Sequence, residues 1–360
     1  MKKLDWYIFR QLLTTFVTCM LIFTVIAIAV DSSEKTDNFV ASGLGTRQII
    51  RQYYIGFVPY IWGMLYPLFV FIAVIYFTSR MAMRSEIIAM LATGTTYNRW
   101  LRVYLFAGIF FAVVLWFAAR WYIPQANEIR GNFEARYVDA PAPGESSTTA
   151  HYMRTDSHTY VGLKYFDTSS RTGGNFFLNR IRNQQLVYNL RAESVQWDTT
   201  KRQWKLRNVT ARTVGPRGET MSTIPEQYVV LNFEPADLQT DKYAKDKLTT
   251  PELNEQIRLE ELRGNEGVNT LKVERYRRTA TSYSVVLLTL IGAILAGRKN
   301  RGGSGVHLAL GIIIAAVFIL FDRFSTVFSV KGNLPPLIAA WIPNFVFTCV
   351  AIYLYRKAPK

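Results

Sequence analysis

Apolar residues gather into long unbroken runs in the first third and last quarter of the chain, while the middle alternates polar and apolar positions. The runs cover about 12–30, 57–77, 101–119, 283–296, 306–328 and 337–355. A bilayer core takes about 20 mostly apolar residues per helix, because every backbone N–H and C=O must be paired within the segment. Six membrane spans are therefore expected. The fourth run is short and must extend back through Thr279 and Thr281. From about 121 to 274 the chain reads as an ordinary polar domain. The pattern predicts spans 1–3 in 1–120, an inserted domain in 121–272 and spans 4–6 in 273–360.

Within the insert, residues 149–234 alternate over short runs such as 159–166 and 203–209, rich in Tyr, Val, Thr and Trp. Period-2 patterning of these residue types means strands with one buried face. Turn signals at 169–174, 198–201 and 215–218 separate them. About seven short strands at this spacing predict an all-β sandwich or jellyroll, reached through a flexible loop at 141–149. Thr250 followed by Pro251 then predicts a helix start, and Gly264 its end. That helix, 251–263, is weakly amphipathic, with Leu253, Ile257 and Glu260 on one face, and is expected on the base of the β domain.

A net charge of +16 could suggest nucleic acid, but the cations sit where a membrane topology would put them. Lys2, Lys3 and Arg10 precede span 1, Arg80 and Arg84 follow span 2, Arg298, Lys299 and Arg301 follow span 4, and Arg356, Lys357 and Lys360 end the chain. By the positive-inside rule these four segments are cytoplasmic, so both termini and Gly302 are inside while the insert, Asn183 included, is external. Ala27-Ile28-Ala29 has the form of a signal cleavage site, but the apolar run before it is too long for a signal core, and cleavage would invert this topology. Cys19 and Cys349 lie mid-span and read as buried small hydrophobes.

No G-x-x-x-x-G-K-[ST] loop occurs, so the chain has no phosphate cradle for ATP. His151, His158 and His307 form no ligand set, and neither a metal site nor a catalytic constellation stands out.

Between spans 2 and 3, Ser85 can cap a short helix, Glu86 suits its positive N-terminal end and Gly94 can stop it. Ile87, Ile88, Met90 and Leu91 share one side. The pattern alone leaves two readings, a connector in the headgroup region or a docking element. The run from Pro67 through Arg80, Ser85-Glu86, Ala92-Thr93-Gly94 and Arg99 resembles the lipopolysaccharide export permeases of the LptF/LptG (YjgP/YjgQ-like) type. So do the order three spans, β insert, three spans; the strand pair across 192–206 with Trp197 and Trp204; the approach to span 4 at 274–278; and Gly303-Ser304-Gly305 before span 5. So large an insert between spans 3 and 4 separates the chain from export permeases that carry theirs after span 1.

The resemblance implies an α-helical inner-membrane protein of a Gram-negative-type cell with an inserted periplasmic jellyroll. It implies that 85–94 is a coupling helix seated on a cytoplasmic ABC ATPase dimer, which would hold the ATP and Mg. It also implies a second related permease, a single-span periplasmic jellyroll protein, a periplasmic bridge protein, and lipopolysaccharide as cargo. Lys35 near the outer end of span 1 and Arg275, Arg277 and Arg278 before span 4 run against the positive-inside trend. Cations at that depth could hold the lipid's phosphates, or act as snorkelling anchors. Asp322 and Arg323 lie unusually deep in span 5, where each needs its own partner or a wet cavity; a functional and an interhelical role remain equally open. Two other classes compete. A membrane sensor would need a cytoplasmic output domain, and an ion-coupled transporter would show internal repeats and broken helices. Neither feature is seen in the sequence, which leaves undecided which of two paired permeases this is.

Overall fold

A computed structural model describes residues 3–139, 151–156, 158–167, 170–215, 218–235, 244–263, 267–298, 303–332 and 334–358. The expected loop at 141–149 and Lys2, Gly264, Lys299, Arg301, Gly302 and Lys360 lie outside the described residues. The chain divides into two compact units. One comprises Met1–Val138, Tyr243–Asn254 and Asn269–Lys360, and the other Asp139–Lys242 and Glu255–Val268.

The first unit is helical. Its elements are α1 (Lys3–Glu34), α2 (Thr36–Ala41), α3 (Thr46–Met83), α4 (Glu86–Ala92), α5 (Tyr97–Tyr137), α6 (Ala244–Lys247), the start of α7 (Thr250–Arg263), α8 (Val268–Ala296), α9 (Gly303–Lys331) and α10 (Pro336–Lys357). Helices α1, α3, α5, α8, α9 and α10 are long and apolar enough to cross a membrane, and the chain is a multi-pass membrane protein. Most exceed the roughly 20 residues that a bilayer core requires. At 38 residues, α3 runs well past each end of its apolar stretch. The missing start of span 4 is also supplied, because α8 is continuous from Val268.

The extra length has local causes. In α5 the sequence pattern stops near Ala119, yet the helix continues through a π turn at Ala118–Tyr122 into Ile123–Tyr137. A second π turn, Ile50–Tyr54, lies in α3. Beyond these turns the two helices approach closely, and a Cβ at Gly56 would collide with the Ala126 carbonyl and the Arg130 backbone. Tyr53, Phe57 and Phe133 bury their rings in that contact. The extension of α5 is polar overall, so packing and not intrinsic apolarity keeps it helical.

Burial separates central from peripheral helices. Two-thirds of the apolar window of α8 and half of that of α3 are buried, against about a tenth for α1. Helix α1 contributes one stripe, Ile8, Leu12 and Phe16, to the main core, and leaves Leu21, Ile22, Val25 and Ile26 exposed. Interhelical hydrogen bonds fix register. Trp62 donates to Thr24 (2.8 Å), Thr78 to Tyr104 (2.8 Å), and Asn344 to the Ala280 carbonyl (2.8 Å). Such bonds average only about 0.6 kcal/mol in membranes, so close packing of buried residues holds the bundle together.

The second unit carries β1 (His151–Asp156), β2 (Thr159–Leu163), β3 (Tyr165–Asp167), β4 (Thr172–Arg182), β5 (Gln185–Asp198), β6 (Gln203–Gly215) and β7 (Gly218–Val229). They form one antiparallel sheet in the order β1-β2-β4-β5-β6-β7, with β3 pairing β4 beyond β2 as a continuation of the same edge. Strands β4 and β5 are joined by Asn183-Gln184, both at positive φ as a type I′ hairpin requires. Between β5 and β6, the Asp198 carboxylate accepts from the Thr200 and Lys201 N–H groups. Trp197 pairs across to Trp204, in the strand pair that the resemblance includes.

One face of this sheet is apolar, from Val161 and Phe166 through Phe176, Leu190 and Val195 to Leu206. Phe166 on β3 and Trp204 on β6 lie three strand spacings apart, about 14 Å in a flat sheet. Their rings are 5.8 Å apart. The sheet therefore curls over its own apolar face, and Phe233 closes on Trp204, which donates its indole N–H to the Phe233 carbonyl at 3.0 Å.

Candidate functional site

A cavity of about 470 Å³ opens within the helical unit, walled by α3, α5, α8, α9 and α10 with α6 at its rim. Its chemistry is graded. Towards the start of α8 and the end of α9 the lining carries Lys245, Asp246, Glu274, Arg277, Arg278, Asp322, Arg323 and Lys331. Farther along the same helices it becomes Leu288, Ala315, Phe318 and Ile319, faced by Leu65 and Leu68 of α3. Five cations oppose three carboxylates at the polar end. Such a space fits an amphiphile with an anionic head and apolar chains.

Four of the five charged residues expected from spans 4 and 5, Arg277, Arg278, Asp322 and Arg323, meet here, with different duties. Arg278 donates to the Leu248 carbonyl at 2.8 Å and to Thr250 at 3.2 Å, so it pins the 245–250 segment to α8. Arg277 holds Glu274 at 2.8 Å and faces Asp322 across the cavity. Asp322 is half-buried, whereas Arg323 is exposed and makes no ion pair or hydrogen bond among the described residues. The sequence reading missed Lys245 and Asp246, because α6 is four residues long and shows no period. Burial, then the charge of nearby Glu274, pushes the Asp246 carboxyl above its ordinary range, and Lys245 and Arg277 partly oppose that.

Lys35 and Arg275 do not line the cavity. The Arg275 guanidinium lies against Tyr276, 4.5 Å from the ring centroid, and donates to the Tyr276 hydroxyl. Lys35 lies in a buried network. Its ammonium contacts Glu134 at 2.6 Å and Asp31 at 3.2 Å, and donates to the Tyr53 hydroxyl. Arg130 pairs with the same Glu134 at 3.1 Å and stacks 3.7 Å over Tyr60. The network ties α1, α3 and the extension of α5 together.

The short helix α4 forms where expected, with different chemistry at its start. Ser85 adopts positive φ and its side chain makes no capping bond, so the expected N-cap is absent and a left-handed turn sets the direction of α4. Gly94 does end it: at φ +87°, its N–H bonds Leu91 while Thr95 bonds Met90, the Schellman pattern. Ile87 is buried, and Met90 and Leu91 pack against the main core. Ile88 remains 54% exposed, beside exposed Ala89, Ala92 and Thr93. The apolar side expected to face outward is thus mostly used internally, because α4 rolls Ile87 and Leu91 onto the bundle. Glu86 is half-buried, 3.8 Å from Arg84.

The family profile of the lipopolysaccharide export system permease LptF/LptG matches residues 6–357. The chain belongs to this LptF/LptG family. It is also 20% identical over 363 residues to the lipopolysaccharide export system permease protein LptG of Escherichia coli (strain K12), covering 98% of each chain, and equally similar to that of Escherichia coli O6:H1. The match spans both helical segments and the β insert, so the whole LptF/LptG architecture is present. In this family the chain is the permease component of a transport system and not itself an enzyme.

Proposed function

We propose that this chain is the transmembrane permease subunit of an ATP-driven lipopolysaccharide extractor in the inner membrane, with both termini cytoplasmic and the β domain periplasmic. The graded cavity carries this reading, since its charged end suits phosphates and its apolar end suits acyl chains. Cargo taken from the outer leaflet would pass to the insert, a jellyroll whose curled apolar face suits the same chains. Among the described residues its edge strands β1 and β7 each pair on one side only, which would let the next β domain add to the sheet, first a single-span periplasmic jellyroll protein and then a bridge protein. A second, related permease would cover the exposed helix faces, including α1 and α9.

Energy enters through α4, which docks on a separate ATPase dimer holding ATP and Mg. With Ile87 and Leu91 turned inward, Glu86 and Ile88 are the residues that meet that partner. Glu86→Lys and Ile88→Asp should leave the folded permease intact while abolishing recovery of the ATPase with it. Normal recovery with both variants would reduce α4 to a connector. The cargo reading is tested by a photoreactive residue at Phe318, which should crosslink lipopolysaccharide in membranes. Labelling by glycerophospholipid alone would overturn it.

A further inference from the structure

A second, smaller cavity of about 240 Å³ lies between α1 and the end of α3, lined by Tyr7, Gln11 and Thr15 on one helix and Tyr76, Arg80 and Arg84 on the other. Its floor is apolar, made by Phe77 (4% exposed) and Met81 (2%). Glu86 reaches its rim and is the lone carboxylate in the lining, 3.8 Å from Arg84. The Arg80 guanidinium makes no ion pair or hydrogen bond among the described residues. Two guanidinium groups thus share a notch with one carboxylate, which pairs with Arg84 alone at 3.8 Å, and an apolar floor strengthens their field.

We propose that this notch binds the phosphate of an anionic lipid headgroup, in the leaflet at the α4 end of the bundle. Size permits it, since about 240 Å³ far exceeds the roughly 10–15 Å³ that seats a single water. Planar guanidinium groups with neighbouring hydroxyls are the chemistry that recognises phosphate oxygens. Depth favours a lipid over a free anion. Trp6, Tyr7 and Tyr76 are each about half exposed at this level, as aromatic residues at a headgroup boundary are. Thr18 and Ile22, both exposed, continue the face of Gln11 and Thr15 into the span and offer an acyl chain a track.

The full chain, reconstituted in phosphatidylcholine vesicles, would be labelled with headgroup-proximal photoreactive phosphatidylglycerol or with its phosphatidylcholine counterpart. Labelled peptides containing Tyr7 or Tyr76 should favour phosphatidylglycerol about tenfold, the value of one charge-assisted contact. Arg80→Gln and Arg84→Gln should each remove that preference, with α-helix content and elution volume unchanged. Arg10→Gln, which removes an exposed cation of α1 outside the notch, should not. Equal labelling by both lipids, or an equal loss in Arg10→Gln, would overturn the site in favour of a diffuse basic surface. Displacement by millimolar inorganic phosphate would assign it to a free anion, and labelling that disappears only when a soluble protein co-purifies would make it a protein contact. Either result would also overturn the lipid assignment.

Discussion

Two charge clusters in the helical unit look alike in sequence and differ in structure. Around Lys35, two cations meet two carboxylates at 2.6–3.2 Å, and a tyrosine hydroxyl adds a further partner. At the mouth of the large cavity, five cations meet three carboxylates, and Arg323 and Lys331 have no ion-pair partner among the described residues. The first cluster is closed and balanced, whereas the second keeps positive charge in reserve. The contrast shows that a cation near the end of a span identifies neither an anchor nor a ligand contact. Its partners decide which it is.

The largest effect should come from opening the closed cluster. Glu134→Ala leaves Lys35 and Arg130 buried beside one another, and removing one partner of a buried pair costs on the order of 3–5 kcal/mol. The purified variant should unfold at a markedly lower temperature, measured by intrinsic fluorescence in detergent. The double variant Lys35→Met with Glu134→Gln, which removes both charges, should recover much of the loss. If Glu134→Ala is as stable as the parent and instead loses lipid labelling, then Lys35 belongs with the cargo site.

The open cluster should respond in the opposite sense. Arg323→Glu and Lys331→Glu remove contacts available only to a ligand, so thermal stability should hold while crosslinking of lipopolysaccharide falls roughly tenfold per lost charge-assisted contact. Arg278→Ala is the internal control at the same mouth. It should lose stability first, because four oxygens from residues 245, 248, 250 and 274 depend on its guanidinium. A stability loss in Arg323→Glu comparable to that of Arg278→Ala would place Arg323 in the scaffold.

What could be read from sequence divides along the same line. Apolar runs, strand alternation and a helix-stopping glycine are local signals, and the six spans, the β insert and the Gly94 stop followed from them, while the Trp197–Trp204 pair came with the family resemblance. Features set by distant contacts did not. Glu134 lies 99 residues from Lys35, inside a polar stretch that no periodicity marks as helix. The polar extension of α5 exists because Gly56 lets its backbone close on α3. Ser85 is a frequent capping residue, yet its positive φ follows from the turn that α4 must make to reach the core. Lys245 and Asp246 sit in one turn of helix, where charge alone carries no position.

The smallest expected effect refines the balance at the open mouth through pH. Burial and Glu274 hold the Asp246 carboxyl above the ordinary carboxylate range. As pH falls from neutral through that raised value, Asp246 takes up a proton and the mouth gains net positive charge. Crosslinking of an anionic lipid should then rise, by about twofold to threefold for one partly screened charge. Asp246→Asn should show the raised level already at neutral pH and should flatten the profile, while the titration of the lipid's own phosphates stays common to both proteins and cancels in their ratio. Stability carries the matching sign. The folded chain holds this proton more firmly than the unfolded chain, so the contribution is complete below the ordinary Asp range and is lost as pH rises through the raised value. A parent protein whose unfolding temperature and labelling ratio to Asp246→Asn both stay constant across that window would show that Asp246 does not govern the charge of the mouth.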